Sequence, residues 1–412
     1  MILRTVTAGF VVVVVARGAS AQGPDRPEPP KQEAHSLDLA INNVGISIGN
    51  SRRLTGFRLN WRDDGVVRVN GINLTLWSPG ENPKAELNGL ALGVIAPGAA
   101  RINGISLGVL GIRAGDRLTG VSGAGFAVVS HGSVAGLTVG GLAVTADGDI
   151  SGVNVGGLAV MSRGALAGIN VAGASVTASN GARGVTVAGL ATIVQHRQSG
   201  LGAAGLAVVT EGPMSGVSVA GLGVAARGDH TGLGVGGLAT FASGRMRGVH
   251  VGGLAALGES GVSGITVGGL AVVSSGAISG ITAAGGAVMS GDDMRGLTAA
   301  GLGVVADGDL RWVALTAGTL VATGNATGLL VGLYRVRSPR VTGLAVSALQ
   351  LRTIQLRGLA VAGYTDVRQQ RGISIALYND ARRLKGVQLG LLNHARNNPP
   401  ATRWLPIVNA HF

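Results

Sequence analysis

Two short segments match G-x-G-x-x-G, the glycine pattern of dinucleotide-binding turns: GLGAAG at 200–205 and GLGVGG at 232–237. In such a site the pattern follows a strand and opens a helix, and an acidic residue further along the chain binds the ribose. Neither segment has that context, and both coincide with glycines that recur at a fixed interval through the chain. The chain also lacks a Gly-Lys dipeptide, which excludes a P-loop. The sequence therefore predicts no cofactor site.

Histidines and nucleophilic side chains are the next candidates for chemistry. The seven histidines are scattered without the spacing of metal ligands. His131, His196 and His230 fall in or near predicted turns, and His250 falls at a polar strand position, so a solvated surface is expected for all four. No nucleophile has a recognisable base partner. We predict no metal site, no catalytic residue and no small-molecule substrate, and we expect a protein that is not an enzyme.

Basic side chains concentrate near the C-terminus. Residues 335–404 contain twelve Arg or Lys and two Asp, a net charge of 12 − 2 = +10 out of +13 for the whole chain. Such a region attracts anionic lipid or an anionic envelope polymer, or it forms a solvated rim. Nucleic acid is not expected, because the repeats do not interleave aromatic and basic residues. The candidate patch for an anionic partner comprises Arg335, Arg337, Arg340, Arg352, Arg357, Arg368, Arg371, Arg382, Arg383 and Lys385.

The elements that position these residues are set by a repeat. A first glycine series starts at Gly120 and recurs every sixteen residues to Gly296, and a second series starts at Gly125 and recurs to Gly301. Looser copies of the motif flank this region, so that about twenty-two repeats cover most of the chain. A spacing this strict indicates that equivalent residues of successive repeats stack on one another.

Within each repeat, apolar and polar residues alternate as in a short strand. After Gly136 come Leu137, Thr138 and Val139, which predicts buried aliphatic residues and an exposed polar one. A Leu-small-Val strand follows the second glycine, and a polar-Gly turn closes the repeat. The sequence thus predicts an all-β fold, a β-solenoid. The second glycine would occupy a corner that needs positive φ or close backbone approach: Gly141, Gly157, Gly173, Gly189, Gly205, Gly221, Gly237, Gly253 and Gly269.

The alternative fold is an outer-membrane β-barrel, with one strand and one turn per repeat and Phe412 at the end of the chain. Barrels of that class carry aromatic girdles at both membrane interfaces. Between residues 120 and 311 the aromatic residues Phe, Tyr and Trp are represented by Phe126 and Phe241 alone, which favours the solenoid.

The segment GISIALYNDARRLKGVQLGLLNHARNNP, followed by WLPIVNAHF, spans residues 372–412. It resembles the C-terminal repeats of bacterial surface-repeat proteins, whose copies read G-V-Q-[IL]-G-L-[LI]-N. The resemblance implies a protein of the cell envelope with no catalytic residues to carry over. The chain departs from that family in having no cysteine, which removes the attachment point of a lipoprotein.

The first residues combine Arg4, an apolar run and Ala19-Ser20-Ala21, as in a secretory signal peptide. We therefore expect export to the cell surface, outer membrane or periplasm, and a structural or adhesive surface rod; a barrel or envelope channel is the alternative.

The small residue two positions after each second-series glycine forms a candidate stripe for self-association or for binding an envelope polymer, unless it is buried. The predicted regions are a signal peptide (1–21), a Pro-rich tether and cap (22–55), irregular coils (56–119), regular repeats (120–311) and basic coils with a cap (312–412), with aromatic residues enlarging the core near both ends.

Overall fold

The computed structural model describes residues 36–80 and 82–412, so the predicted signal peptide at 1–21 lies outside it. The chain winds into an all-β solenoid of about 18 turns with a period of about sixteen residues. The expected number of coils, about twenty-two, is slightly higher than this, and the outer copies of the motif depart from the period although their glycines stack in the same column. Gly71 and Gly89 are eighteen residues apart, whereas Gly358 and Gly372 are fourteen apart.

Seven strands form the N-terminal end of the solenoid and its first coils. They are β1 (Ser36–Ile41), β2 (Val44–Gly49), β3 (Arg53–Asn60), β4 (Arg68–Thr75), β5 (Glu86–Gly93), β6 (Gly98–Gly108) and β7 (Gly111–Ala124).

The central region alternates strands of four residues with strands of seven or eight. The first half comprises β8 (Ala127–Ser130), β9 (Ser133–Gly140), β10 (Ala143–Ala146), β11 (Ile150–Gly156), β12 (Ala159–Ser162), β13 (Leu166–Ala172), β14 (Ser175–Ala178), β15 (Ala182–Ala188), β16 (Ala191–Val194), β17 (Gln198–Ala204), β18 (Ala207–Thr210), β19 (Met214–Ala220) and β20 (Gly223–Ala226). The second half comprises β21 (His230–Gly236), β22 (Ala239–Ala242), β23 (Met246–Gly252), β24 (Ala255–Gly258), β25 (Val262–Gly268), β26 (Ala271–Ser274), β27 (Ile278–Ala284), β28 (Ala287–Ser290), β29 (Met294–Ala300), β30 (Gly303–Ala306), β31 (Leu310–Thr316), β32 (Thr319–Ala322) and β33 (Asn325–Gly332).

The C-terminal coils are continuous extended chain. Strand β34 (Arg335–Ala395) runs through several coils without a turn segment, and a single 3₁₀ turn (Pro400–Thr402) leads into the last strand, β35 (Trp404–His411).

Pairing between coils is parallel and in register. Strand β11 pairs with β9 on one side and β13 on the other, so that Asn154 lies between Thr138 and Asn170. Strand β12 likewise lies between β10 and β14. Equivalent residues of neighbouring coils are therefore about 4.8 Å apart along the stack. The solenoid prediction is confirmed.

The predicted orientation of the long strands is wrong. Leu137 and Val139 are each 43 % exposed, whereas Thr138 between them is 1 % exposed. The cause is the first glycine series, whose φ angles lie between +95° and +118° in the central coils. At Gly152 this bend leaves three successive residues on the outer side, Ser151 to Val153, so the alternation that follows is shifted by one residue. The polar column is therefore buried and the aliphatic residues of these strands face outward.

The second glycine series meets the backbone of the preceding coil. A Cβ placed on Gly157 would lie 1.8 Å from the carbonyl oxygen of Gly141, and one on Gly221 would lie 2.1 Å from that of Gly205. These glycines have no positive φ. Close approach, rather than backbone conformation, is what excludes larger residues at this corner.

The core is a narrow space between the inner faces of the long and short strands. Val144 and Ile150 are fully buried in it, as are their equivalents in the neighbouring coils. The buried polar column runs beside them, and its members bond along the stack. The Ser106 hydroxyl donates to Ser122 Oγ at 2.8 Å, and the Asn154 amide donates to Asn170 Oδ1 at 3.0 Å. Stacking identical groups thus gives some of the buried polar atoms a partner.

Antiparallel strands lie at both ends of the parallel stack. Strands β1 and β2 form a hairpin through Asn42 and Asn43, whose φ angles of 54° and 64° fit a type I′ turn. At the other end β35 pairs antiparallel with the last coil of β34. The edge strands that face the stack are thereby paired, which reduces the tendency of open edges to recruit other chains.

Aromatic residues near the ends do not enlarge the core, contrary to the sequence-based expectation. Trp61 and Trp77 are 65 % and 49 % exposed and stack on each other with ring centroids 5.7 Å apart. The corner between the long and short strands is tight, since a Cβ on Gly140 would lie 2.2 Å from the carbonyl oxygen of Ala143, three residues further along the chain. The rings of both tryptophans therefore lie on the outside of the molecule.

The small residues of the short strands lie on the outer side. Ala159, Ala207 and Ala255 are partly exposed, and the residue after each of them is fully buried. We expect the triple substitution Ala159→Lys, Ala207→Lys and Ala255→Lys to leave the fold intact and to cost less than about 1 kcal/mol per site. Circular dichroism and denaturant unfolding measure this. The control moves each lysine one residue along, to Val160, Val208 and Ala256, and should abolish folding; equal tolerance of both sets would contradict the assigned orientation.

Candidate interaction surfaces

The outer side of the long strands is an exposed apolar surface, here called the valine face. It consists of the residues one and three positions after each first-series glycine, such as Val153 and Val155, which are 38 % and 36 % exposed. In-register parallel pairing arranges these residues as two continuous aliphatic columns. Contiguous exposed apolar surface on this scale is characteristic of an interaction site.

A second apolar column runs along the corner beside the valine face. It is formed by the residue after each second-series glycine, and we call it the leucine ridge. Its backbone forms a ladder, in which the Leu158 amide donates to the Leu142 carbonyl oxygen at 2.7 Å. The ridge adjoins the valine face, because two small residues, such as Gly156 and Gly157, separate the last valine-face residue of a coil from the ridge leucine. Its large exposed members are Phe126, Leu142, Leu158, Leu190, Leu206, Leu222, Leu238, Leu254, Leu270 and Leu302.

Charged residues are confined to the opposite edge of the solenoid. Between residues 120 and 311, every Asp, Glu and Arg lies eleven to fifteen positions after a first-series glycine, in the turn or the residue before the next glycine. The valine face, the leucine ridge and the outer side of the short strands carry no charge over this range. Each of these twelve coils therefore has an apolar half and a charged half, and in-register stacking extends both along this part of the molecule.

The ten residues of the predicted anionic-partner patch are all exposed. Within the described chain, Arg352 is the one member whose charged group lies within 4.0 Å of an acidic oxygen, that of Asp366 at 3.0 Å. Arg340 donates to the Gln355 side chain at 2.9 Å.

Three members of that patch are stacked directly. Gly358, Gly372 and Gly386 lie one above another, so Arg357, Arg371 and Lys385, which precede them, form a column of like charges about 4.8 Å apart. Like charges this close repel each other, and an anionic partner would relieve the repulsion.

His230 and His250 are not on the surface, which corrects the sequence-based expectation. Both are fully buried, and their rings pack edge to face with centroids 4.6 Å apart. Within the described residues none of their four ring nitrogens has a hydrogen-bond partner. Burial lowers the pKa of each histidine to about 4, and the neighbouring His250 adds to the effect on His230.

Glycine in the polar column makes room for this pair. A Cβ on Gly234 would lie 2.4 Å from His230 Cε1 and 2.9 Å from His250 Cδ2. The same arrangement occurs two coils earlier, where a Cβ on Gly202 would lie 1.7 Å from Gln198 Nε2. A large polar residue followed four positions later by glycine is therefore a sequence signal that could have located these buried side chains.

A buried ion pair occupies the interior of the first coils. Arg58 and Asp63 have no exposed surface and form a salt bridge. Asp63 also accepts hydrogen bonds from Asn60 at 2.7 Å and Thr75 at 2.6 Å, and Arg58 donates to Asn73 at 2.8 Å. Because these bonds are directed at one another, the cluster supports the end of the core and presents no group to a ligand.

Sequence reasoning missed the valine face and the leucine ridge because it assigned their side chains to the core. Between residues 120 and 311, charged residues occur at four of the sixteen repeat positions, and this restriction, visible in the sequence, could have shown which edge faces water. The aliphatic residues alone do not indicate which face of a strand is buried.

Among residues 36–80 and 82–412, His, Asp and Glu side chains nowhere gather in a group of three or more suited to holding a metal ion. In the same residues no helix has the length and hydropathy needed to cross a bilayer.

No protein-family model, curated protein or solved structure matches the chain. The resemblance of residues 372–412 to surface-repeat proteins therefore stays a prediction.

Proposed function

We propose that this protein is a non-enzymatic structural or adhesive rod of the cell envelope, which binds its partner along an extended surface. The observation that supports this most directly is the division of each coil into an apolar and a charged half. Stacking the twelve coils of residues 120–311 at 4.8 Å gives a continuous surface of roughly 58 Å. Repetition of this kind supplies many weak, equivalent contacts in place of one pocket.

The envelope location rests on the signal-peptide pattern of residues 1–21 and on the resemblance of the C-terminal repeats to surface-repeat proteins. The exposed apolar columns agree with it, since a protein surrounded by water on all sides rarely keeps so much contiguous apolar surface uncovered.

Cell fractionation combined with protease treatment of intact cells tests this proposal. We expect the protein in the envelope fraction, with peptides from the charged turns released by protease before the cells are broken. An abundant cytoplasmic protein, which protease should reach only after lysis, is the control. The proposal would be contradicted if the protein were found in the cytoplasmic fraction and were cleaved only after lysis, as the control is.

The column of Arg357, Arg371 and Lys385 supports a second mode of binding, in which this end of the rod contacts an anionic envelope component. Three stacked cations give a polyanion several simultaneous contacts, and their interaction should weaken as salt concentration rises.

A further inference from the structure

We propose that the leucine ridge and its flanks lie in the surface of an anionic lipid membrane, with the long axis of the solenoid parallel to the membrane plane. This inference rests on the envelope function proposed above and specifies its partner. It is carried by the shape of the apolar half and by the sign of the charges that border it.

The shape favours a lipid surface over a second copy of the chain. The leucine ridge is a convex edge between two outer faces, and Leu190, Leu222 and Leu254 on it are about half exposed, at 52 %, 47 % and 49 %. Two rigid convex edges touch along a line and cover little of their flanks. A lipid leaflet deforms around such an edge and covers both flanks, as it does for helices that insert 5–10 Å into the headgroup boundary.

Charge complementarity gives the second argument. The residue before each first-series glycine borders the valine face on the side away from the ridge. From Thr119 to Lys385 this column contains seven basic residues and no acidic one: Arg183, Arg247, Arg295, Arg311, Arg357, Arg371 and Lys385. All seven are exposed, and two of them, Arg295 and Arg311, form salt bridges at 2.8 Å with Asp293 and Asp309 of the adjacent turns.

The position of this basic column matches the depth of lipid headgroups. The basic column lies four residues before the valine-face column that is nearer the ridge, as Ser151 lies before Val155. Along an extended strand this is about 13 Å. With the ridge inserted, these cations would lie at the level of the headgroups, where each adds attraction to an anionic lipid.

Trp77 adds an independent observation. It occupies the ridge position of its coil, six residues after Gly71, and its indole stacks on that of Trp61 on the outside of the molecule. Exposed tryptophan at the end of an apolar ridge is typical of side chains that sit at a membrane interface.

Flotation with lipid vesicles tests the proposal. The purified protein is mixed with vesicles of phosphatidylcholine containing one quarter phosphatidylglycerol, or of phosphatidylcholine alone, and we expect flotation mainly with the former. The triple variant Leu190→Ser, Leu222→Ser and Leu254→Ser should bind about a hundredfold more weakly, because three large apolar side chains no longer leave water. The triple variant Arg357→Gln, Arg371→Gln and Lys385→Gln should lose at least about tenfold on anionic vesicles only.

The matched control changes three residues of the charged edge, Asn180→Ser, Gln195→Ser and Ser275→Ala, and should bind as the unchanged protein does. Circular dichroism establishes that every variant is folded. Unchanged flotation of the leucine variant, or no flotation of the unchanged protein, overturns the inference. A dimer in solution that the leucine substitutions dissociate, without vesicle binding, would assign the ridge to a second copy. Envelope fractionation that succeeds while flotation fails would leave the proposed function standing and remove only the lipid partner.

Discussion

Substituting Gly221 by alanine will cost more than about 4 kcal/mol of folding stability, or prevent folding. Its Cβ would lie 2.1 Å from the carbonyl oxygen of Gly205, which belongs to the backbone ladder of the preceding coil and has no room to move. Relief would require spreading two coils and weakening the parallel pairing on both sides of the corner. Because each coil contacts only its neighbours, the damage should be centred on this position and weaken the stack there.

Gly223, two residues away, provides the matched control. Its φ is not positive, and the nearest atom to an added Cβ is the carbonyl oxygen of Ala239 at 3.5 Å, an ordinary contact. Gly223→Ala should therefore be neutral or stabilise by up to about 1 kcal/mol, through the smaller entropy of the unfolded chain. Denaturant unfolding of the two variants, with hydrogen exchange to locate the weakened coils, measures the difference. Similar stability in both variants would contradict the close approach at the corner.

Acid will destabilise the middle of the solenoid between pH 6.5 and pH 4, before most carboxylates are protonated. Burial among Met214, Met246 and Thr266 lowers the pKa of His230 and His250 to about 4, and no charged side chain occupies the neighbouring positions of their columns. The unfolded chain, with a histidine pKa near 6.5, binds these protons first, so stability is complete above pH 6.5 and falls as the pH approaches 4. The loss should reach about 3 kcal/mol per histidine at pH 4.

The chain itself suggests the control for this prediction. His230→Gln with Gly234 retained reproduces the Gln198–Gly202 arrangement, and His250→Thr reproduces the column residue Thr266. The double variant should fold and should lack the acid-dependent loss in this range. The free energy of unfolding of both proteins is measured at pH 7, 5.5 and 4.5. The same loss of stability with falling pH in both would show that the histidines are not responsible.

The carboxylates of Asp293 and Asp309 should contribute little in that range. The backbone amide of Asp309, and then Arg295, hold the pKa of Asp293 below its usual value. Arg311, and then the backbone amide of Asn325, do the same for Asp309. Groups of this kind stay charged while the buried histidines respond.

The fold could be predicted from the sequence because close contact between the backbones of neighbouring coils requires glycine at fixed positions, whatever the other side chains are. Glycine recurs every sixteen residues at Gly136, Gly152 and Gly168, because a Cβ at any of these positions would clash with the backbone of the preceding coil. Such a period can be recognised without knowing which way any side chain points.

Orientation could not be predicted in the same way. Leu137, Thr138 and Val139 alternate as any half-buried strand does, and the usual preference of aliphatic residues for the core gave the wrong answer. The deciding fact is the positive φ of Gly136, which no pattern of hydropathy records. His250 escaped notice for the same reason, since its position was assigned to the surface together with its column, whereas His230 was assigned to a turn and is the first residue of strand β21.

The sixteen-residue register has a consequence for how such a protein changes over generations. Neighbouring coils are so alike that a recombination event between equivalent positions removes or adds whole coils, and every surviving residue keeps the same class of neighbour. An event that changes the length of a strand disturbs its columns, whereas the turns accommodate such a change, since Gly89 stacks on Gly71 although eighteen residues separate them. The length of the molecule is therefore a variable that natural selection can adjust in small equal steps, independently of the chemistry of its surface.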